Sequence, residues 1–328
     1  MKILSLIYGF IVFVRNKLYD WNILKSKKVD GVEVICIGNI VVGGSGKTPA
    51  VQYFCKKYLA EGKKVGILSR GYKGKRENDL LLVRDESGIL ASALESGDEA
   101  FLHSLSLPVP VVVCSNRYEG AKYLKEKCGV EVVIMDDGFQ HRALARDIDI
   151  VLIDASNPFG YEHVLPRGLL REPLSGLQRA DIIVLTKVDQ VAPGIVSGIR
   201  KRLTQMIPNI PVYETTHKPQ FMYTLDEWAN GSVGASVDAY KEQRIMAVSG
   251  IGNPQSFTQT LTDVGYNVVH TLPFGDHHDF SNDDVVEIWK QAFAHQADAI
   301  CITEKDAVKL SQLHAIEDLK IPILVLSI

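Results

Sequence analysis

The stretch GNIVVGGSGKTP, Gly38 to Pro49, constrains this chain more than any other. It ends in Gly46-Lys47-Thr48, the close of a phosphate-binding loop of the form G-x-x-x-x-G-K-[ST]. The regular spacing asks for glycine at position 41, but the chain has Val41, and its glycines stand at 38, 43 and 44. The preceding run VEVICIGN (32–39) is apolar and β-branched, and predicts a buried strand. The following run TPAVQYFCKKYLAEG (48–62) predicts a helix, because Val51, Phe54, Tyr58 and Leu59 recur at i, i+3, i+7 and i+8. Pro49 is tolerated in a first turn, and Gly62 is a stop. Strand, glycine loop and helix in that order favour a phosphate cradle over an ordinary glycine turn. Gly43, Gly44, Ser45 and Gly46 are expected to turn backbone N–H groups inward, with the positive end of the helix dipole behind them. Lys47 then reaches the β- and γ-phosphates of a nucleotide, and the Thr48 hydroxyl ligates Mg²⁺.

Short apolar runs alternate with helical patterns along the rest of the chain, which reads as an α/β fold with a parallel sheet. Strands are expected at 64–72, 109–114, 130–137, 149–155 and 181–189, with a hairpin over 80–92 around Glu86-Ser87-Gly88. A second α/β run holds strands at 244–250, 266–274, 299–306 and 321–327, and a helix at about 282–296 capped by Ser281 with Asp284 three residues on. The expected organisation is an N-terminal helix (1–24), a three-layer α/β/α domain of the P-loop NTPase kind (25–210), a proline-containing connection (211–243) and a smaller α/β domain (244–328). Hydrophobic residues make up 46% of the 328, enough for well-buried cores. A net charge of −3 does not suggest a nucleic-acid binder, which usually shows a strongly basic face. None of the five cysteines has CxxC spacing, so buried reduced thiols are expected.

The N-terminus departs from that plain pattern. Ile3 to Val14, ILSLIYGFIVFV, carries no charge. As a helix at ~1.5 Å per residue it falls short of the ~30 Å hydrocarbon core, so it does not span a bilayer unaided. Arg15, Lys17, Lys25, Lys27 and Lys28 follow, against Asp20. An apolar helix with a cationic flank suits a peripheral anchor on an anionic membrane surface. The plainer reading is a first helix packed on the core.

Three further clusters carry chemistry. VVIMDDGFQH (132–141) is an apolar strand ending in two acids, one of which, Asp136 or Asp137, is expected to hold Mg²⁺ directly or through water. SGDEA (96–100) sets Asp98 and Glu99 in an expected glycine-containing loop, and FGDHHDF (274–280) packs two histidines among acids. A phosphoryl acceptor hydroxyl needs a base, and a carboxylate gains from a positioned imidazole. A metal site on His277 and His278 is disfavoured if that segment is extended, since adjacent side chains then face opposite ways. LTKVD (185–189) is similar to the guanine-reading [NT]-K-x-D element, which makes a regulatory GTPase the rival reading. A soluble P-loop amide ligase of the dethiobiotin-synthetase type leaves the N-terminal segment without a purpose.

Taken together, VGGSGKTP, SRGYK (69–73), GDEA, MDDGFQH, LPRGLLREP (165–173), SGIGNP (249–254), FGDHHDF and TEKDAVKL (303–310) resemble, in their order, the tetraacyldisaccharide 4′-kinases, the lipid A 4′-kinases of Gram-negative bacteria. The resemblance runs from the N-terminus to about Leu310, and the shifted glycines belong to that family's own loop. It implies ATP- and Mg²⁺-dependent phosphorylation of the 4′-hydroxyl of a tetraacylated glucosamine disaccharide 1-phosphate, giving lipid IVA. It implies Lys47 and Thr48 on the triphosphate and metal, Asp98 as the base, and His277 paired with that base. Asp136 and Asp137 match the metal-side acids. Gln140, His141, Glu99 and Asp276 stand in the same motifs on the substrate or phosphate side, and Arg70, Arg167 and Arg171 are expected to bind phosphate through the guanidinium fork. The implied setting is the cytoplasmic face of the inner membrane, with an acylated lipid as partner and the chain a monomer.

Overall fold

The computed structural model describes residues 1–316 and 320–328. The chain divides into two compact units, Met1–Thr216 and His217–Ile328. Residues 211–243, expected as a connection, are divided between the two units and hold short strands, a helix and turns.

The first unit begins with helix α1 (Lys2–Asp20) and strand β1 (Glu33–Asn39), followed by α2 (Lys47–Ala60) and β2 (Val65–Ser69). A hairpin of β3 (Leu81–Asp85) and β4 (Gly88–Ile89) comes next, then α3 (Ala93–Ser96), α4 (Asp98–Ser106), β5 (Val111–Val113) and α5 (Arg117–Cys128). Strands β6 (Val132–Asp136), β7 (Ile148–Asp154) and β8 (Ile182–Thr186), helix α6 (Pro193–Met206) and strand β9 (Val212–Glu214) complete it. The nine-stranded sheet has the order β4-β3-β5-β2-β6-β1-β7-β8-β9. All its pairings are parallel from β5 to β9, and β3 and β4 close one edge antiparallel.

Alternation along the central strand shows why the sheet is covered on both faces. Val34 and Cys36 of β1 belong to one buried cluster, with Leu68, Met135 and Ile153. Ile35 and Ile37 belong to the other, with Val51, Ile67, Ile134 and Leu152. A two-residue period thus feeds two cores, which requires a layer on each side of the sheet. This is the three-layer α/β/α arrangement expected from the sequence.

Helices α4 and α5 were not anticipated. Asp98 and Glu99 occupy the first turn of α4 and not a loop. Gly97, before it, has φ +83°, and a Cβ there would stand 2.6 Å from the Tyr72 carbonyl oxygen, so the SRGYK turn and the start of α4 pack backbone to backbone. Ala100 is wholly buried in this helix.

The second unit holds β10 (Phe221–Thr224), α7 (Leu225–Ala229), β11 (Ala235–Ser236), β12 (Arg244–Ser249), α8 (Pro254–Val264), β13 (Asn267–Pro273), α9 (Asn282–Ala294), β14 (Ala299–Thr303), α10 (Glu304–Leu310) and β15 (Ile323–Ser327). Its sheet, of six strands among the described residues, runs β11-β10-β15-β14-β12-β13. The core gathers Met222, Ile245, Ala247, Phe257, Leu261, Cys301 and Leu324. The capping box at the start of α9 forms as expected: the Asp284 amide donates to Ser281 Oγ, and the Ser281 amide to Asp284 Oδ2.

No helix among the described residues is long and apolar enough to cross a membrane. α1 is fixed to the first unit along one stripe only. Ser5 donates to the Val164 carbonyl at 2.7 Å, Tyr8 Oη to the Arg171 carbonyl at 2.7 Å, and Asn16 Nδ2 to Glu172 at 3.2 Å. Outside that stripe Ile3, Leu6, Ile7, Phe10, Ile11 and Phe13 are each more than half exposed.

Candidate functional site

β1 lies between β6 and β7, with Ile37 opposite Asp136, so the loop after β1 emerges where the carboxyl ends of three parallel strands converge. Residues 40–42 are held against residues 169–171: Arg171 donates its amide to the Ile40 carbonyl, and Val42 donates its own to the Leu169 carbonyl. Val41 pairs with Leu170 in an isolated bridge. A side chain therefore belongs at 41, and the turn that needs glycine comes later. Gly43 has φ +125° and Gly46 φ +82°, and α2 begins at Lys47. A Cβ on Gly43 or Gly44 would meet nothing within 4 Å, so their surroundings are open. Gly38 differs, since a Cβ there would lie 2.7 Å from that of Phe139; this glycine lets the MDDGF turn lie against β1.

The loop is braced from neighbouring strands. Asn39 Nδ2 donates to Ser45 Oγ at 2.8 Å. Thr186 Oγ1 donates to the Ser45 carbonyl at 3.0 Å, and Lys187 Nζ to the Gly44 carbonyl at 2.7 Å while pairing with Asp154. The trans peptide after Ser45 therefore turns the Gly46 N–H away from β8. Thr186 and Lys187, singled out in the sequence only as a guanine-reading signature, thus support the loop's backbone.

The two acids at the end of β6 have different surroundings. Asp137, at φ +51°, receives Arg171 Nη1 at 2.7 and 2.8 Å and stands 3.8 Å from Lys47 Nζ. Burial alone would raise its carboxyl, but Lys47 and Arg171 outweigh that and hold it below the ordinary carboxylate value. Asp136 is 1% exposed and its Oδ2 meets His103 Nε2 at 3.2 Å, while its Oδ1 is buried with no protein partner. His103, on α4 five residues beyond Asp98, escaped the sequence reading. The sequence offered little signal for it, because α4, DEAFLHSLS, mixes polar and apolar residues.

A basic rim surrounds these acids. Arg117 is 3% exposed, donates to the Cys114 carbonyl at 2.6 Å, and has a buried Nε without a protein partner. Burial, then repulsion from Arg70, lower its guanidinium to about 10, so it stays charged at neutral pH. His141 is lowered to about 4 by burial and by Arg117, Arg146, Arg70 and Arg15, so its ring is neutral at pH 7. Its Nε2 is likewise buried without a protein partner. Gln140 is committed inward: Nε2 donates to the Asn39 carbonyl at 2.8 Å and to Glu172 at 2.9 Å. Glu172, wholly buried, also receives Arg179 and Asn16. Arg167 is exposed, on the loop before Arg171.

Asp276 and His277 belong to the second unit. Their segment is a turn rather than extended: His277 has φ +56°. The His278 ring lies tilted against Phe274, with centroids 4.7 Å apart, and edge-on to Phe280 at 5.0 Å, and its Nε2 meets Asp284 at 3.2 Å. Among the described residues no group of three or more His, Cys, Asp or Glu is arranged to hold a metal ion.

A model of the tetraacyldisaccharide-1-P 4′-kinase family matches residues 1–328. A tetraacyldisaccharide 4′-kinase of Halothermothrix orenii is 39% identical over 95% of this chain and 83% of its own length. That of Syntrophus aciditrophicus is 36% identical over 100% of this chain and 87% of its own. Among solved structures, LpxK from Aquifex aeolicus in complex with ATP superposes with a TM-score of 0.76 at 33% identity, covering 99% of this chain and 91% of that one. The open cradle ahead of Lys47 and the acids at the end of β6 therefore sit in a chain that belongs to the tetraacyldisaccharide-1-P 4′-kinase family.

Proposed function

We propose that this chain transfers the γ-phosphate of ATP to the 4′-hydroxyl of tetraacyldisaccharide 1-phosphate, giving lipid IVA in lipid A biosynthesis. The observation that carries the reading is the meeting of an open glycine cradle with Lys47, Asp137 and Arg171 at the convergence of three strands. Lys47 and Arg171 offer cationic donors where charge spreads over the transferred group. Phosphoryl transfer asks for this kind of positioning and charge stabilisation rather than for covalent chemistry by the protein.

The donor set fits Mg²⁺. Thr48 offers a hydroxyl, Asp137 a carboxylate held ionised, and Asp136 an oxygen left without a protein partner. These are hard oxygen ligands, and Mg²⁺ commonly takes only one or two carboxylates beside phosphate oxygens and water. Bound there, Mg²⁺ supplies neutralisation of the charge on the β- and γ-oxygens. Asp98 accepts the proton of the 4′-hydroxyl at its carboxylate, and His277 orients or tunes that carboxylate. Arg70, Arg117, His141 and Arg167 serve the anionic and hydroxyl groups of the sugar, and Glu99 and Asp276 are further residues on the substrate or phosphate side. Gln140 acts through Glu172, holding the DDGFQH turn against the loop that carries Arg171.

The exposed face of α1 rests on the cytoplasmic leaflet of a Gram-negative inner membrane, with Lys17 and Lys25–Lys28 toward anionic headgroups. A tetraacylated substrate leaves a bilayer at a cost of ~0.8 kcal/mol per CH₂, so the enzyme meets it in place as a peripheral monomer.

Thr186 and Lys187 against the phosphate loop also suit a GTPase-like nucleotide switch. A nucleotide panel in mixed micelles separates the two. The kinase adds phosphate to the lipid from ATP; GTP-preferring hydrolysis indifferent to the lipid would favour the switch.

A further inference from the structure

The TEKDAVKL segment, quoted above only for its place in the motif order, lies directly under the histidine turn. Lys309, on α10, directs Nζ at the carbonyls of His277 (3.1 Å) and His278 (2.8 Å) and at Asp279 Oδ1 (3.1 Å). An ammonium has three donors, and these are three acceptors from consecutive residues. One helical turn earlier, Asp306 is 3% exposed and accepts the Gly250 amide on Oδ1 at 3.0 Å and the Thr303 hydroxyl on Oδ2 at 2.6 Å. The Gly250 carbonyl accepts the His277 amide at 3.0 Å. A Cβ on Gly250 would stand 3.0 Å from Asp306 Oδ1, so the approach is close.

The His277 carbonyl is thereby held directly from α10, and its amide indirectly, through the residue whose own amide Asp306 accepts. The residue needs such fixing. Its φ of +56° is left-handed, a conformation that a side-chain-bearing residue keeps only where its surroundings over-determine it. His278 is anchored separately by Phe274, Phe280 and Asp284, so it does not set the direction of the His277 ring.

We infer that Lys309 and Asp306 are positioning residues for His277, with Lys309 gathering the two carbonyls and the Asp279 carboxylate and Asp306 anchoring, through its amide, the glycine whose carbonyl holds the His277 amide. The inference rests on the proposed catalytic role of His277. It gives a buried acid and a cation one turn apart on α10 a shared role.

The test is kinetic. Lys309→Met, measured on the full chain with lipid acceptor and ATP, lowers kcat about 100-fold, the scale of a roughly 1 Å misplacement of a catalytic group. The KM for ATP stays near wild type, since the phosphate loop is untouched. In a His277→Ala background the same substitution costs nothing further, because the group that it positions is gone. If Lys309→Met does not fold, Lys309→Arg gives the same reading: it keeps the charge, but a planar fork does not bring three donors to one point. Wild-type turnover in whichever Lys309 variant folds overturns the inference, as does an equal loss with and without His277. A fully active His277→Ala removes the catalytic reading of His277 and the inference together. An impaired His277→Ala beside an unimpaired Lys309 variant removes the inference alone.

Discussion

Asp137 joins the two cations of the site, since Lys47 and Arg171 both face its carboxylate. An arriving triphosphate would compete for the same donors, so on the proposed roles Lys47 serves binding as well as turnover, and Asp98 turnover alone. Lys47→Ala is therefore expected to weaken nucleotide affinity and rate together. Asp98→Ala is expected to lower kcat by about 10²–10⁴-fold, the usual span of a general base, with nucleotide affinity near wild type. Steady-state kinetics beside equilibrium nucleotide titration checks both, and a fully active Asp98→Ala removes the assigned base. His141 carries a pH signature. Burial and the surrounding guanidiniums depress its folded value to about 4, below the ordinary 6.5. Its stabilising contribution is thus complete above the unfolded value and is lost as pH falls toward about 4. Melting curves of wild type and His141→Gln should show wild type losing ground between about pH 6.5 and 4; parallel Tm profiles would contradict the buried neutral ring. Lys47, Asp136, Asp137 and Arg171 were legible because each stands in a short local motif. His103 and Arg117 were not, because their neighbours Asp136 and Arg70 are distant in sequence and only the sheet brings them together.

At the scale of elements, strands showed through best, because two-sided burial writes itself as an unbroken apolar run. Helices α4, α5, α8 and α10 were harder. Each is short, and each buries polar or small residues such as His103, Arg117, Gly120, Thr260 or Asp306 where an apolar stripe would be sought. The irregular phosphate loop has a local cause: residues 40–42 pair with 169–171 before the turn begins. α1 divides its labour by face. Ser5, Tyr8, Val12 and Asn16 look inward, and Ile7, Phe10 and Ile11 outward. Replacing Ile7, Phe10 and Ile11 with serine should sharply reduce binding to anionic vesicles in flotation while leaving ATP affinity unchanged, because the inward stripe is kept. Unchanged flotation would contradict the membrane face. Deleting residues 1–14 is a poorer test, since it also removes the hydrogen bond from Tyr8 to the Arg171 carbonyl.

Across the whole molecule, the phosphate loop, both acids at the end of β6 and Asp98 belong to the first unit, and His277 with its supports to the second. The proposed assignment thus takes its residues from two separately cored units. The sequence gives their order but places their boundary only within a span, because β9 and β10 flank it and each is short, half-polar and at or near a sheet edge. The claim on which the rest depends is a transfer with one donor, one acceptor and one position. The most direct measurement supplies the purified chain with tetraacyldisaccharide 1-phosphate in micelles, Mg²⁺ and γ-labelled ATP, and assigns the phosphorus resonances of the lipid product. A second phosphate monoester on the 4′-oxygen, absent without ATP, is the expected result. Label released only as free phosphate, or carried at any other position of the lipid, would contradict it.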